Sequence, residues 1–186
     1  MSLAIALLAA GGATRFGGGK LDADCAGKPL GRWALETALT VPYDRLAVVV
    51  GDPRPEFARG CELLVNDKAA DGLGTSTALA ARWAAGSDAL LIMLADMPLV
   101  SLEILGKLAD AKGPAAVAYP GDGAGAPACF PAALFPALEA LTGDSGAAQV
   151  LRGLAGVRLI EAPADELRDV DRPEDLAEVA AILRSR

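Results

Sequence analysis

Residues 7–21 read LLAAGGATRFGGGKL, an apolar entry into a glycine-rich stretch whose only charged side chains are Arg15 and Lys20. Glycine reaches backbone dihedrals closed to other residues and lets the chain approach a ligand closely. Successive amides in such a loop can converge on an anion. Arg15 adds a planar fork for phosphate oxygens, and Lys20 a mobile point charge. The combination suits the triphosphate of a nucleotide, whereas an ordinary flexible turn would need the glycines but not two spaced cations. Two familiar phosphate loops fail on spacing. A Walker A loop needs GxxxxGK[ST], but Leu21 follows the lysine and Thr14 stands where the first glycine belongs. A dinucleotide fingerprint needs GxGxxG, which Gly11, Gly12 and Gly17 to Gly19 do not supply.

Carboxylates complete the chemistry. Asp96, in ADMP, follows an apolar run and precedes Met97 and Pro98. Proline favours an extended residue before it, so a strand ends there. A turn or cap would account for ADMP on its own. The expectation of a metal ligand rests on Asp96 reaching the sheet edge that also carries the glycine loop. Farther on, RDVDRPEDL offers Asp169, Asp171, Glu174 and Asp175. Glu174 and Asp175 follow Pro173 in a first helical turn, where acids are favourable with the helix dipole. Asp169 and Asp171 lie on one side of an extended segment. Mg²⁺ takes one or two protein carboxylates together with phosphate oxygens and water, so one aspartate from each loop meets its demand.

These residues need elements to bring them together. LAIALLA (3–9), RLAVVV (45–50), CELLV (61–65), ALLIML (89–94), AAVAY (115–119) and VRLIEA (157–162) read as strands. Several are apolar at consecutive positions, as expected when both sheet faces are covered. Helical spacing occupies residues 29–41, 73–86, 101–112, 131–142, 145–154 and 173–184. PGDGAGAPA (120–128) is the most loop-like stretch. The alternation predicts a three-layer, Rossmann-like α/β fold, a mostly parallel sheet with helices on both faces. At 186 residues it fits one domain, spanning 1–186. Ligands of such sheets bind beyond the carboxyl ends of the strands, near the switch point. The glycines and cations follow the first strand, and the two carboxylate loops follow the fourth and the last.

Composition narrows the function. The net charge of −7 argues against a broad nucleic-acid surface, and 4% aromatic residues leave few stacking platforms. No apolar stretch approaches the ~20 residues that span a bilayer, and no basic segment precedes the first apolar run, so a cytoplasmic protein is expected. Cys25, Cys61 and Cys129 form no CxxC and read as free thiols. The chain has no histidine, which removes histidine catalysis and histidine–metal ligation.

The motifs resemble, in order and over essentially the whole chain, those of the molybdenum cofactor nucleotidyltransferases, small enzymes with the nucleotide-diphospho-sugar transferase type of fold. LAAGGATRFGGGK is similar to their LAAGxSxRxGxxK signature. AGKPLGRWALETAL, VNDKAADGLGTSTALAA, LADMP, GDSGAAQVL and DVDRPEDL resemble later segments. The resemblance implies nucleotide contacts from Leu8, Ala9, Ala10, Gly11, Gly12, Arg15, Lys20, Asn66 and Ser76. It implies Mg²⁺ on Asp96 and Asp171, with Asp169 second, and places Lys28 at the active-site rim. Arg15, Lys20 and Asp96 are the catalytic candidates. By themselves Asn66, Thr75 and Ser76 would serve as turn or helix caps and Lys28 as a surface lysine at a helix start.

The implied reaction moves a nucleoside monophosphate from its triphosphate to a phosphorylated small-molecule acceptor, molybdopterin in the first instance. A molybdoenzyme or its chaperone would be the receiving partner. LAAG resembles the cytidylyl branch and LADMP the guanylyl branch, so CTP is favoured and GTP comes next. Three positions depart from the pattern: Ala13 replaces a serine, Ala126 a histidine and Ala148 an arginine. The last two belong to the acceptor side. Cytidylyl transfer to a methylerythritol or sugar phosphate, and a non-catalytic nucleotide-binding regulatory module, are the alternatives.

Overall fold

The computed structural model describes residues 1–12, 16–121 and 123–185. Its centre is a seven-stranded sheet in the order β5-β4-β1-β6-β8-β7-β9. The strands are β1 (Leu3–Ala9), β4 (Arg45–Val50), β5 (Glu62–Val65), β6 (Ala89–Leu94), β7 (Ala115–Tyr119), β8 (Gly123–Pro131) and β9 (Arg158–Ile160). β2 (Asp24–Cys25) and β3 (Lys28–Pro29) form a small antiparallel hairpin apart from it. Four of the six pairings in the large sheet are parallel, and the two antiparallel ones both involve β8.

All seven residues of β1 are buried, and the period-two alternation of a strand divides them between two cores. Leu3, Ile5 and Leu7 face α1 (Leu30–Thr40) and α3 (Leu102–Ala109) through Leu35, Ala38, Ile104 and Leu105. Ala4, Ala6 and Leu8 face α2 (Leu73–Trp83) and α4 (Phe135–Glu139) through Ala80, Ala81, Phe135 and Leu138. α5 (Ala148–Arg152) joins the second face through Leu151, and α6 (Pro173–Ser185) closes a third cluster in which its Val179 and Ala180 join Val170 of the segment before it. Alanine dominates where α2 lies on the sheet because its short side chain lets helix and strand approach. Among the described residues no helix is long and apolar enough to cross a membrane.

The glycine-rich stretch expected to be a loop is instead β8, nine residues between β6 and β7. Its low side-chain volume hides it from hydrophobic patterning, but its backbone has a strand on either side. Opposite the step from Ala116 to Val117 the partner jumps from Ala128 to Gly125, leaving Ala126 and Pro127 in a bulge. Proline, with no N–H to donate, belongs at such a point. Tyr119 lies over Gly125, where a Cβ would come 2.9 Å from the ring. The expected helices at 131–142 and 145–154 shrink to α4 and α5: β8 runs on to Pro131, Ala132–Leu134 form a 3-10 turn, and α5 begins only at Ala148.

From β1 the chain proceeds outward to β4 and β5, then crosses back to β6 on the other side of β1. The switch point therefore lies at the carboxyl end of β1. α2 is seated by two glycines: the N–H of Gly74 donates to Gly143 O at 2.8 Å, and a Cβ on Gly72 would fall 2.3 Å from the Gly143 carbonyl carbon. Gly72 also has φ +114°. Gly72→Ala adds that overlap to a left-handed backbone and is expected to cost about 2–4 kcal/mol, read as a lower midpoint in urea unfolding.

Candidate active site

Three loops leave the carboxyl edge of the parallel strands side by side. The β1–β4 pairing ends at Ala9 and Val50, and the β1–β6 pairing at Leu8 and Leu94, after which the N–H of Ala95 still donates to Leu8 O at 3.0 Å. Asp96 therefore stands just past the end of β1, as the ADMP stretch led us to expect. The N–H of Val170 donates to Asp96 O at 3.0 Å, which docks the last acidic segment on the same loop. Val170 is fully buried, so its neighbours Asp169 and Asp171 share the side turned away from the core.

Lys20 joins these loops. Its Nζ donates to Asp96 Oδ2 at 2.8 Å and lies 3.5 Å from Asp171 Oδ1. The side chain is 9% exposed, so the ammonium is largely withdrawn from water and held by carboxylates contributed 76 and 151 positions away. Asp169 stands at the open edge of the group. Partial desolvation, followed by the charges of Asp171 and Asp96, pushes its carboxyl above the ordinary range. Tyr119, at the end of β7, donates its hydroxyl to Ala126 O at 2.7 Å. Burial, with Asp169 and Asp96 adding to it, pushes Tyr119 up to about 12, so it remains a neutral donor. Asp175 caps α6 by accepting from the N–H groups of Asp171 and Arg172 at 3.0 and 2.8 Å, which holds its carboxyl low. The cap also shapes the backbone that carries Asp171.

A cavity of about 340 Å³ opens beside this group, walled by residues 9–12, 18–22 and 51–55 with Ala69 and Ala70. Gly17, Gly18 and Gly19 have φ of +89°, +96° and +62°, a path that only glycine follows without strain. Ala9, Ala10, Gly11, Gly12 and Lys20 all line the cavity. Arg15 lies outside the described residues. Leu8 is a core residue whose carbonyl serves β6.

Other expected site residues lie elsewhere. Asn66 and Ser76 are buried and absent from the cavity wall. The Asn66 amide donates to Thr75 Oγ1 and Ser76 Oγ, both at 2.9 Å, and its Oδ1 accepts from the Lys68 N–H at 3.0 Å. That network fastens the end of β5 to the start of α2, the capping role open to these residue types. Lys28 pairs with Glu36 and lies 3.4 Å from the centre of the Trp33 ring, lining a separate groove behind Pro98. Sequence reasoning missed Tyr119, the last residue of a strand ending beside the carboxylates. It also missed Asp22, two positions beyond Lys20, which carries no motif of its own.

The carboxylates suit a divalent ion. Asp96 and Asp171 already share one cation, the Lys20 ammonium, and hard carboxylate oxygens are the donors Mg²⁺ and Mn²⁺ prefer. Among the described residues no three acidic, cysteine or histidine side chains converge to hold a metal unaided. Two carboxylates leave coordination positions for oxygens from a ligand.

Residues 5–167 match the family described as the MobA-like NTP transferase domain. The chain is 34% identical over 188 residues to the purine catabolism protein PucB of Bacillus subtilis (strain 168), covering 90% of this chain and 91% of that one. It also resembles the crystal structure of the Mycobacterium tuberculosis Rv0371c homolog from Mycobacterium sp. strain JC1, with TM-score 0.82 and 26% identity over 99% and 98% of the two chains. Against a nucleotidyl transferase from Methanothermobacter thermautotroptrophicus the TM-score is 0.83 at 23% identity, over 100% of this chain and 99% of the other. Since the family match takes in the whole seven-stranded sheet but for the start of β1, the chain belongs to the MobA-like NTP transferase family.

Proposed function

We propose that the protein transfers a nucleoside monophosphate, CMP in preference to GMP, from its triphosphate to a phosphorylated acceptor, with molybdopterin as the favoured acceptor. The observation that carries this reading is Lys20 held between Asp96 and Asp171 at the mouth of a glycine-walled cavity. The triphosphate lies along the glycine loop, where backbone N–H groups, Lys20 and Arg15 meet its negative charge. Lys20 leaves the carboxylates for the phosphate oxygens as these arrive. Asp96 and Asp171 would hold a Mg²⁺ ion, which when bound would supply positive charge for the phosphate oxygens. An acceptor phosphate oxygen attacks the α-phosphorus, the new P–O bond forms, and the bond to the β-phosphate oxygen breaks to release pyrophosphate. The nucleophile is already ionised near pH 7, so the work is positioning and charge neutralisation, which a chain without histidine can perform.

Ala126 and Ala148, which depart from the family pattern on the acceptor side, leave room for a second acceptor, a methylerythritol or sugar phosphate, and are also the best support for a module without turnover. The exposed Asp169 carboxylate, beside Tyr119, offers acceptor oxygens suited to sugar hydroxyls. A regulatory module that binds nucleotide without turnover is the outcome that would remove both readings.

The decisive experiment incubates the protein with CTP, GTP, ATP or UTP, Mg²⁺ and molybdopterin and follows pyrophosphate. Release is expected with CTP above GTP and with little from the others; release only when a methylerythritol or sugar phosphate replaces molybdopterin supports the second acceptor, and nucleotide binding without release with any of these acceptors identifies the regulatory module. Asp96→Asn should lower turnover by at least about a hundredfold in a protein that still folds, as read by circular dichroism, although loss of the charge opposite Lys20 lowers its melting temperature. Unchanged turnover would remove Asp96 from the mechanism. Lys20→Met leaves Asp96 and Asp171 without their shared ammonium. It should weaken nucleotide binding yet bind Mn²⁺ alone about tenfold more tightly, as measured by calorimetry.

A further inference from the structure

The two walls of the cavity come from segments that the sheet no longer joins, because the β1–β4 ladder stops at Ala9 and Val50. One wall is the exit of the glycine loop, a 3-10 turn at Lys20–Asp22 closed by the Asp22 N–H donating to Gly19 O at 3.1 Å. The other is the 51–55 segment, which runs into a second 3-10 turn at Glu56–Ala58. The first amides of that second turn have no acceptor within it, and Pro55 before it has no capping side chain. Asp22 supplies the cap from the opposite wall. Its Oδ2 accepts from the Glu56 N–H at 2.9 Å and its Oδ1 from the Phe57 N–H at 2.8 Å. Beyond that point Phe57 is 4% exposed and its ring fills the space above Gly31 of α1, where a Cβ would come 2.6 Å from it.

The 51–55 segment is therefore fixed at one end by β4 and at the other by Asp22 and Phe57, with Arg54 between them on the cavity wall. We propose that Asp22 is a positioning residue for the nucleotide: by bridging the two walls it sets the width of the cavity and holds the 51–55 segment against the loop that carries Lys20. Its carboxylate bonds are charge-assisted and two in number, so they fix an orientation as well as a distance. Asp22 is two residues from Lys20, and the same turn aims the Lys20 side chain at Asp96. Any loosening of this bridge reaches nucleotide binding directly, whereas the Asp96–Asp171 pair on the far side of Lys20 keeps its own supports at β6 and α6.

The inference rests on the nucleotidyltransferase reading above. Asp22→Ala should raise both the Kd and the KM for the favoured nucleotide about tenfold, with kcat at saturation within about twofold of wild type. Asp22→Asn keeps one acceptor oxygen and should fall between the two, and it carries the test if the alanine variant does not fold. Amide exchange at Glu56 and Phe57 should quicken in Asp22→Ala. A folded variant whose nucleotide Kd and KM match wild type overturns the proposal, even if its melting temperature falls, and so does a loss confined to kcat or to the acceptor KM. If wild type binds no nucleotide, the parent reading fails and takes this one with it. If wild type binds and both Asp22 variants bind equally well, this inference alone fails.

Discussion

The Lys20 ammonium is shared by two carboxylates that lie far apart in the chain, and the architecture around the site follows from keeping it there. A lysine that is nine-tenths buried needs counter-charge, because removing one partner of a buried pair typically costs about 3–5 kcal/mol. Asp96 comes from the end of β6 and Asp171 from the segment before α6. The pair thus ties the first loop of the chain to the middle and the end of it. Its strength also suits a site that exchanges ligands. The ammonium between the two carboxylates supplies the positive charge they need, so the folded chain avoids facing acids without a cation.

The supports of that interaction are layered. The sheet aligns β1 and β6 so that Lys20 and Asp96 approach across adjacent strand ends. Val170, buried and hydrogen-bonded to the Asp96 carbonyl, brings the acidic segment in, while Asp175 shapes its backbone from within α6. Asn66, Thr75 and Ser76 brace α2 on the opposite sheet face, and Gly72 and Gly74 let the 142–144 loop close over its first turn. The polar residues at the end of β5 and the start of α2 thus act here through the frame. A hydrogen-bonding side chain in a motif is as able to satisfy a neighbouring group of the chain as to meet a ligand, and its partners in the fold describe which it does here.

Much of this was legible in the residues. Consecutive apolar positions marked β1, β4, β6 and β7 within a residue of their observed bounds, and the alternation with helices revealed the layered sheet. Gly11, Gly12, Lys20, Asp96 and Asp171 stood out because their types are costly or conformationally unusual where they occur. β8 was not legible: its glycines, alanines and Pro127 give no side-chain pattern, and only strands on both sides make it part of the sheet. Asn66 and Ser76, expected near the nucleotide, and Lys28, expected at the active-site rim, are found in a buttress at the end of β5 and beside Trp33 and Glu36, partners that the order of residues does not reveal.

Local chemistry accounts for what the amino-acid order determined by itself: where strands run, where glycine must allow a positive φ, and which charged groups await partners. Nothing local distinguishes Asp22 from any exposed aspartate. Its role depends on two amides more than thirty residues away that lack acceptors of their own, and that coincidence exists only once β1 and β4 lie side by side. The same holds for Tyr119, an ordinary strand end until β8 passes beneath its ring and the carboxylates gather near its hydroxyl. Tertiary structure decided these because hydrogen bonds and charges act through space, and the sequence records only the order along the chain.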